Sequence, residues 1–546
     1  RVRPDVTRKT PARPDSFPAA EERRAAARGV AWGGVESATS ALVGLVLTPL
    51  VVRACGLEGL GLWSASWSLA HATNLLDLGV GASYTRFTSR AIALSDTSGL
   101  NRTLGAGIGF HIALAALIAA GALLIGPRAL GLVVPGGALA SRAGSVFGCT
   151  LATVVLRTVL SAYRGVVAGA QRLDRLGRIG SAASVLEGCG AALALGSGWG
   201  LPGMAVNSLV WGGAASLAEA IAAHRLVPGL RVVPFLAGRD EWRELLSFGL
   251  RIQVVRAAEI LGAHVPRLAL AFGPGLAAAG VYDLGARIAG VLQVSALPLP
   301  VIQPLAARLA ARGEDGKLRA LVERGTRYVA LLAIPGAILV LLDAEGILRA
   351  WTGREVPSAS AGAARLLAVA LTAGFLASPL RLVLRGMGRP DIEAVAALCG
   401  SVLHVCMALI LAAPFGAPGV AGAALAAAAL SAALLGLGAH RTAPGLARAA
   451  AGALPAALLA GAGGFVASAA LRLAFAGSSA SLPTRGAALG RLVPETLALA
   501  AAALLVVWWR GGIEKQDLAA AAGAFRKDRA VADTAVPAAG GGRRRS

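Results

Sequence analysis

Fourteen runs of about twenty apolar residues, joined by short polar connections, leave this chain few folds to choose from. They cover residues 29–52, 60–83, 103–125, 144–166, 179–199, 203–223, 248–271, 278–304, 327–348, 360–384, 393–413, 418–440, 452–475 and 494–510. A helix of that length crosses about 30 Å of hydrocarbon. It also pairs its own backbone N–H and C=O groups, which a bilayer core demands. Composition agrees: 56% of residues are hydrophobic and only 15% charged, against about 25% charged in an average soluble domain. The predicted fold class is all-α: a polytopic membrane protein of about fourteen transmembrane helices.

The net charge is +23, yet the basic residues form no nucleic-acid-binding domain. They sit in short clusters between apolar runs, and Arg greatly outnumbers Lys. Assigning alternate connections to the cytoplasm, starting from the N-terminal tail, puts 39 Lys and Arg on that side. Nine fall in the connections on the other side, Arg267 counted among them, and Arg157, Arg256, Arg287 and Arg365 fall within spans. Positive charge is retained on the cytoplasmic side of a membrane, so the bias predicts both termini in the cytoplasm. Residues 1–28, rich in Pro and Arg, read as a disordered tail with no signal peptide. Residues 511–546 read as a basic tail toward anionic lipid.

The chain also repeats itself. CGLEGLGLW at 55–63 resembles PGLAAAGVY at 274–282, an offset of 219, and the same offset aligns the run 29–52 with 248–271. Six spans separate the copies, so both enter the membrane in the same direction. The predicted organisation is an N-terminal lobe over 29–226 and a C-terminal lobe over 227–440, related by an axis along the membrane normal. Spans 13 and 14, within 441–510, lie outside the repeat.

Ionisable residues at membrane depth are costly and usually face a cavity or a partner. Here they include Glu36, Asp77, Arg157, Glu187, Glu219, Arg256, Glu259, Asp283, Arg287 and Arg365. An anionic lipid diphosphate would be held by guanidinium groups, which stay protonated and bind phosphate oxygens in pairs. Arg256, Arg287, Arg157 and Arg365 are the candidates for such a cationic cavity. The competing reading pairs Arg256 with Glu259 and Arg287 with Asp283 along their own helices. Glu36 has no basic neighbour on its helix and is a candidate for ion coupling with Glu259 and Asp283. Asp77 and Asp283 are expected to cap or anchor helix ends rather than bind substrate, and His71, His111, His264 and His404 to pack or hydrogen-bond. Pro298, Pro300 and Pro304 break span 8, either at a cavity wall or as a passive kink. The five cysteines form no CxxC pair, no metal spacing links the histidines, and RGEDGKLR (312–319) lacks two elements of a phosphate-binding loop.

Several segments in order resemble the polysaccharide-exporter branch of the multidrug/oligosaccharidyl-lipid/polysaccharide flippase superfamily. They are LTPLVVRACGLEGLGLW (47–63), LLDLGVGASYTRF (75–87), GLNRTL (99–104), GVYDLGARIAGVLQ (280–293), LPVIQPLAARLA (299–310) and LRAWTG (348–353). The resemblance covers about 29–510. It implies two six-helix lobes around a central cavity, in a secondary-active flippase of the bacterial inner membrane that is not an enzyme. The implied substrate is undecaprenyl-diphosphate-linked oligosaccharide, for O-antigen, capsule or exopolysaccharide. No cofactor is implied. Partners would be membrane lipids, a coupling H+ or Na+, and a polysaccharide polymerase and glycosyltransferases, without nucleic acid. The alternatives are a drug/cation antiporter or a lipid II flippase of the same superfamily. A membrane glycosyltransferase or polymerase fits less well, because such enzymes need a large external catalytic loop.

Overall fold

The computed structural model of the chain describes residues 20–134, 139–235, 238–296 and 299–475. The run at 494–510, the tail 511–546, residues 1–19 and Pro298 lie outside the described residues. Within them, every regular element is helical. The elements are α1 (Ala20–Ala72), a 3-10 segment (Thr73–Asp77), α2 (Val80–Leu94), α3 (Thr97–Val133), α4 (Ala140–Val159), α5 (Ser161–Gly169), α6 (Leu173–Gly196) and α7 (Gly200–Leu226). Then come α8 (Arg239–Phe272), α9 (Leu276–Gly290), 3-10 segments Val291–Ala296 and Leu299–Val301, and α10 (Ile302–Ala311). The series ends with α11 (Asp315–Thr352), α12 (Ser358–Gly386), α13 (Pro390–Thr442) and α14 (Pro444–Phe475).

Thirteen of the fourteen apolar runs fall on these helices. Helices α1 and α13 are each 53 residues long, about 80 Å at 1.5 Å per residue, too long for one crossing. Each breaks at a left-handed glycine, Gly56 (φ 71) and Gly416 (φ 58), and so makes two crossings. Helix α1 begins at Ala20, inside the stretch expected to be tail, because AEERRAAAR contains no helix breaker. Helices α4 and α5 meet at a bend of 42° and are together long and apolar enough for one span.

The offset of 219 holds through the fold. Gly56 (φ 71, ψ −174) maps onto Gly275 (φ 110, ψ 175). The 3-10 segment Thr73–Asp77 maps onto Val291–Ala296, α2 onto α10, and α3 onto α11. Thus span 8 is broken, as its prolines predict, and span 2 is broken at the same place without proline. There Leu78 (φ 51) and Gly79 (φ 75) are both left-handed, which ends the helix.

The two lobes meet at reciprocal glycines. A Cβ on Gly61 would lie 1.8 Å from the Leu276 carbonyl oxygen, and one on Gly280 would lie 2.1 Å from that of Leu57. Since 61 and 57 map onto 280 and 276, this crossing lies on the pseudo-twofold axis. A core shared by both lobes surrounds it, including Val51, Leu60 and Leu201 with Leu276, Leu284 and Leu348. Trp351 Nε1 donates to the Leu45 carbonyl at 2.9 Å, and Arg53 Nε to that of Thr352 at 3.2 Å.

At the other end the contact is one-sided. Helix α8 packs on α2 and α3, with Gly249 against Gly79. Gln253 Nε2 donates to the Leu75 carbonyl at 2.9 Å and to that of Asn74 at 3.3 Å, which pairs groups freed by the break in span 2. The repeat equivalent of Gln253 is Gly34, where a Cβ would meet nothing within 4 Å. Helix α14, outside the repeat, packs on α11 and α13.

Candidate functional site

Polar groups within the helices gather into a few clusters, one at the lobe boundary and others within each lobe. The first is built on Asp283 of α9, which is only 4% exposed. Arg287, one turn further on, donates from Nε to Oδ2 at 2.9 Å. Arg267 of α8 donates from Nε to Oδ1 at 3.1 Å. Two guanidiniums on one carboxylate leave a net positive charge; Arg267 also donates from Nη1 to the Ala263 carbonyl at 2.6 Å, so Arg287 is the freer of the two. Arg287 Nη1 reaches the Gly44 carbonyl of the opposite lobe at only 3.4 Å, so a further acceptor can compete for it. The guanidinium of Arg267 also lies over the Tyr282 ring, 5.7 Å from its centroid.

The expected pairing of Asp283 with Arg287 is therefore present, but Arg267 joins it. Its position near the end of a span makes Arg267 read as part of a connection; the structure places it inside α8. The expected pairing of Arg256 with Glu259 is not seen. Both are exposed, and among the described residues Arg256 makes no ion pair. Glu259 instead lies within electrostatic reach of Arg381 and Arg385 of α12. Arg157, on α4, likewise has no ion pair among the described residues and lies within electrostatic reach of His71. Arg365 is drawn away to α11, with Glu345 at 3.6 Å and the Leu341 carbonyl at 3.1 Å. It does not join the Asp283 cluster.

Beside that cluster is a cavity of about 260 Å³ between α1, α6 and α7. Ser40, Ser184, Ser208, Glu187, Trp63 and Trp67 line it from the N-terminal lobe, and Arg287 lines it from the C-terminal lobe. Ser208 Oγ donates to Glu187 Oε1 at 2.6 Å, and the Ser40 and Ser184 hydroxyls meet at 2.8 Å. Trp63, Trp67 and His71 recur every fourth residue, so they share one helix face. Their rings contact in series and continue to His264 of α8, with His71 and His264 stacked at 5.3 Å. Neither tryptophan stands out as a site residue in the sequence, although their spacing of four is the signal that marks them.

Glu36 finds across the lobe the partner its own helix lacks. Arg164 of α5 lies 3.6 Å from it and 2.7 Å from Glu219 of α7. Two carboxylates share one guanidinium, and the group carries one uncompensated negative charge when both are ionised. Asp77 does anchor a helix end: it accepts from the Gly81 N–H at 3.2 Å. It also accepts from His111 Nε2 at 2.5 Å, and His111 Nδ1 meets the Tyr84 hydroxyl at 3.0 Å.

The C-terminal lobe holds its own cavity of about 270 Å³, between α12 and the two halves of α13, lined by Arg381, Glu393, Ser401, His404 and Ser431 among others. Arg381 Nη2 donates to Ser378 Oγ at 2.6 Å and lies 4.0 Å from Glu393 through Nε. Glu393 is already paired with Arg385.

Helical lobes related by a pseudo-twofold axis, with charged side chains at their boundary, define a polytopic transporter of the multidrug/oligosaccharidyl-lipid/polysaccharide flippase superfamily. Within it, residues 26–309 match the family described as polysaccharide biosynthesis protein, and the chain belongs to that family. Among solved structures, the fold is similar to that of the lipid II flippase MurJ in an inward closed conformation. The TM-score is 0.63 at 11% identity, over 87% of this chain and 98% of that one. It is also similar to an inward-facing multidrug resistance MATE family transporter, with a TM-score of 0.60 at 15% identity, over 76% of this chain and 96% of that one. A superfamily transporter from Pyrococcus furiosus, with a binding pocket of reverse polarity, matches at a TM-score of 0.52 and 15% identity, over 79% and 96% of the two chains. No curated protein matches by sequence.

Proposed function

We propose that this transporter is a secondary-active flippase for undecaprenyl-diphosphate-linked oligosaccharide in the bacterial inner membrane, with both termini cytoplasmic. The observation that carries the reading is the net-positive Arg267–Asp283–Arg287 group at the lobe boundary, beside a cavity lined by hydroxyls, a carboxylate and tryptophans. A diphosphate matches the unsatisfied guanidinium donors, and the glycan matches the cavity. Arg256 and Arg157, without ion pairs among the described residues, add positive charge along the path. The lipid tail stays in the bilayer while the head group crosses as the lobes rock about the Gly61–Gly280 crossing.

Coupling falls to the Glu36–Arg164–Glu219 group. Its uncompensated charge is neutralised by a proton or a sodium ion, which gives the gradient a place to act. Family membership in polysaccharide biosynthesis supports this substrate over a drug cation, which the arginines would repel. Supply and consumption of the substrate would fall to glycosyltransferases and a polymerase. The test is to replace Arg287 or Arg256 by Ala in cells that depend on this protein, with membrane levels checked. Lipid-linked glycan is expected to accumulate on the cytoplasmic leaflet; unchanged export in both variants removes the cationic-site reading.

A further inference from the structure

The repeat allows the N-terminal cavity to be compared with the same place in the other lobe. Trp63 maps onto Tyr282, Thr48 onto Arg267, Ser64 onto Asp283 and Glu187 onto Cys406. In the C-terminal lobe the aromatic ring at this position is covered by the Arg267 guanidinium, which is held in place by Asp283. In the N-terminal lobe the guanidinium is replaced by the short Thr48, whose hydroxyl turns back to the Gly44 carbonyl at 2.7 Å. Among the described residues no guanidinium stacks on the Trp63 ring, and Arg287 reaches only the Gly44 carbonyl at the cavity's edge. The space beside Trp63 and Trp67 is the cavity, and Glu187 has been added to its wall.

We propose that this N-terminal cavity is a glycosyl subsite, which takes one sugar ring of the lipid-linked head group. The inference rests on the flippase reading and names the part of the substrate the cavity holds. Its volume of about 260 Å³ lies just below the roughly 300–1,000 Å³ of pockets for drug-sized ligands, so it admits a single ring rather than a chain of them. Sugars present apolar C–H faces and a rim of hydroxyls. The two indoles supply flat apolar surface for the faces. The Glu187 carboxylate, whose Oε1 already accepts from Ser208, keeps acceptor capacity on Oε2 for sugar hydroxyls. The Ser40 and Ser184 hydroxyls both give and accept. Arg287, reaching in from the other lobe, places the charged end of the head group at the boundary, where diphosphate or an acidic sugar substituent meets it. An organic cation would use the same indoles and carboxylate, but Arg287 in the lining opposes it.

The experiment is saturation-transfer NMR on the full chain in nanodiscs. The probes are a neutral hexose, a 6-deoxyhexose, an N-acetylhexosamine and a hexuronic acid, with tetraphenylphosphonium as the cation. At least one sugar is expected to bind wild type, and Glu187→Gln to weaken it at least tenfold. Trp67→Leu is expected to abolish the signal, and Trp67→Phe to retain affinity within about threefold. Glu187→Gln, which adds no cavity, keeps the test valid if Trp67→Leu fails to fold. Failure of every sugar to bind, or sugar binding indifferent to Glu187→Gln, overturns the subsite. If lipid-linked glycan still accumulates with Arg287→Ala, the flippase reading survives that failure. Tetraphenylphosphonium binding that Glu187→Gln removes overturns both.

Discussion

Asp77, Tyr84 and His111 of the N-terminal lobe correspond to Ala296, Gln303 and Ala330 of the C-terminal lobe, whereas Thr48, Ser64 and Ser68 correspond to Arg267, Asp283 and Arg287. Each lobe thus carries a charged cluster where the other is small or uncharged. The backbones agree more closely: the turn at Gly56 recurs at Gly275, the 3-10 break at Thr73–Asp77 recurs at Val291–Ala296, and α3 recurs as α11, although the break between α4 and α5 has no counterpart in the continuous α12. The repeat therefore preserves what the backbone requires, while chemistry has diverged side chain by side chain. The two lobes share one symmetric glycine crossing, but the C-terminal lobe carries positive charge beside it while the N-terminal lobe carries a cavity and the shared-guanidinium group.

The largest effects should come from breaking what the lobes share. Gly61→Leu and Gly280→Leu each force a side chain into a backbone carbonyl of the opposite lobe, which cannot yield as a side chain would, so the cost should reach or pass the top of the usual overpacking range of about 1–3 kcal/mol. Both should abolish folded protein in detergent, as read by size-exclusion profile, and to a similar degree. A large difference between them would break the symmetry of the crossing.

Next comes a difference between the lobes. Asp77→Ala leaves the buried His111 without an acceptor and should cost about 1–3 kcal/mol of stability. Adding His111→Leu, which moves the site toward its apolar counterpart, should recover much of that loss. Thermal unfolding of both variants in nanodiscs measures the coupling. Equal losses in the single and double variants would mean that the pair contributes only packing.

A smaller effect on folding, but a specific one on transport, is expected at the coupling group. Glu36→Gln and Glu219→Gln should make transport insensitive to an imposed proton or sodium gradient in proteoliposomes. The positions equivalent to Glu36, Arg164 and Glu219 are Val255, Val383 and Gly438, so no second such group exists there to compensate. Retained gradient dependence in both variants would place coupling elsewhere.

The smallest effect lies at the surface. Asp96 accepts from the Gly99 N–H at 2.8 Å and caps α3, which holds its carboxyl below the ordinary aspartate range. At the matching start of α11, Glu314 pairs with Lys317 instead, at 2.6 Å, with no capping bond to the helix. A depressed carboxylate stabilises above its unfolded pKa, about 3.9 for Asp, and loses that contribution as pH falls through its folded value. Asp96→Ala should therefore speed amide exchange in the first turn of α3 at neutral pH. The wild type should approach the variant in acid. Exchange unaltered by the substitution would show that the cap is unimportant.

Much of the fold is legible in the sequence because glycine is hard to replace where φ is positive or backbones touch. CGLEGLGLW and PGLAAAGVY match because Gly56 and Gly275 turn the chain and Gly61 and Gly280 sit on the axis. The partners of the charges are less legible. Arg164 meets Glu36 and Glu219 from helices far apart in sequence, and a pattern read along one helix cannot see that. The same limit makes Glu259 look like the partner of Arg256. Arg267 escapes notice as a half-buried charge within a helix because a charge near the end of a span looks like part of the connection. Trp63 and Trp67 carry a visible periodicity, but an aromatic stripe in a membrane helix usually faces lipid or a neighbouring helix.

Whether the cationic boundary moves the head group of a lipid-linked glycan can be measured directly. Purified protein is placed in proteoliposomes containing undecaprenyl-diphosphate-linked oligosaccharide and probed from outside by a glycosidase. Wild type should bring glycan from the inner leaflet within reach of the enzyme when a proton or sodium gradient is imposed, and Arg287→Ala should slow this at least tenfold. A wild-type protein that leaves the glycan protected under either gradient, while moving an organic cation, would contradict that role.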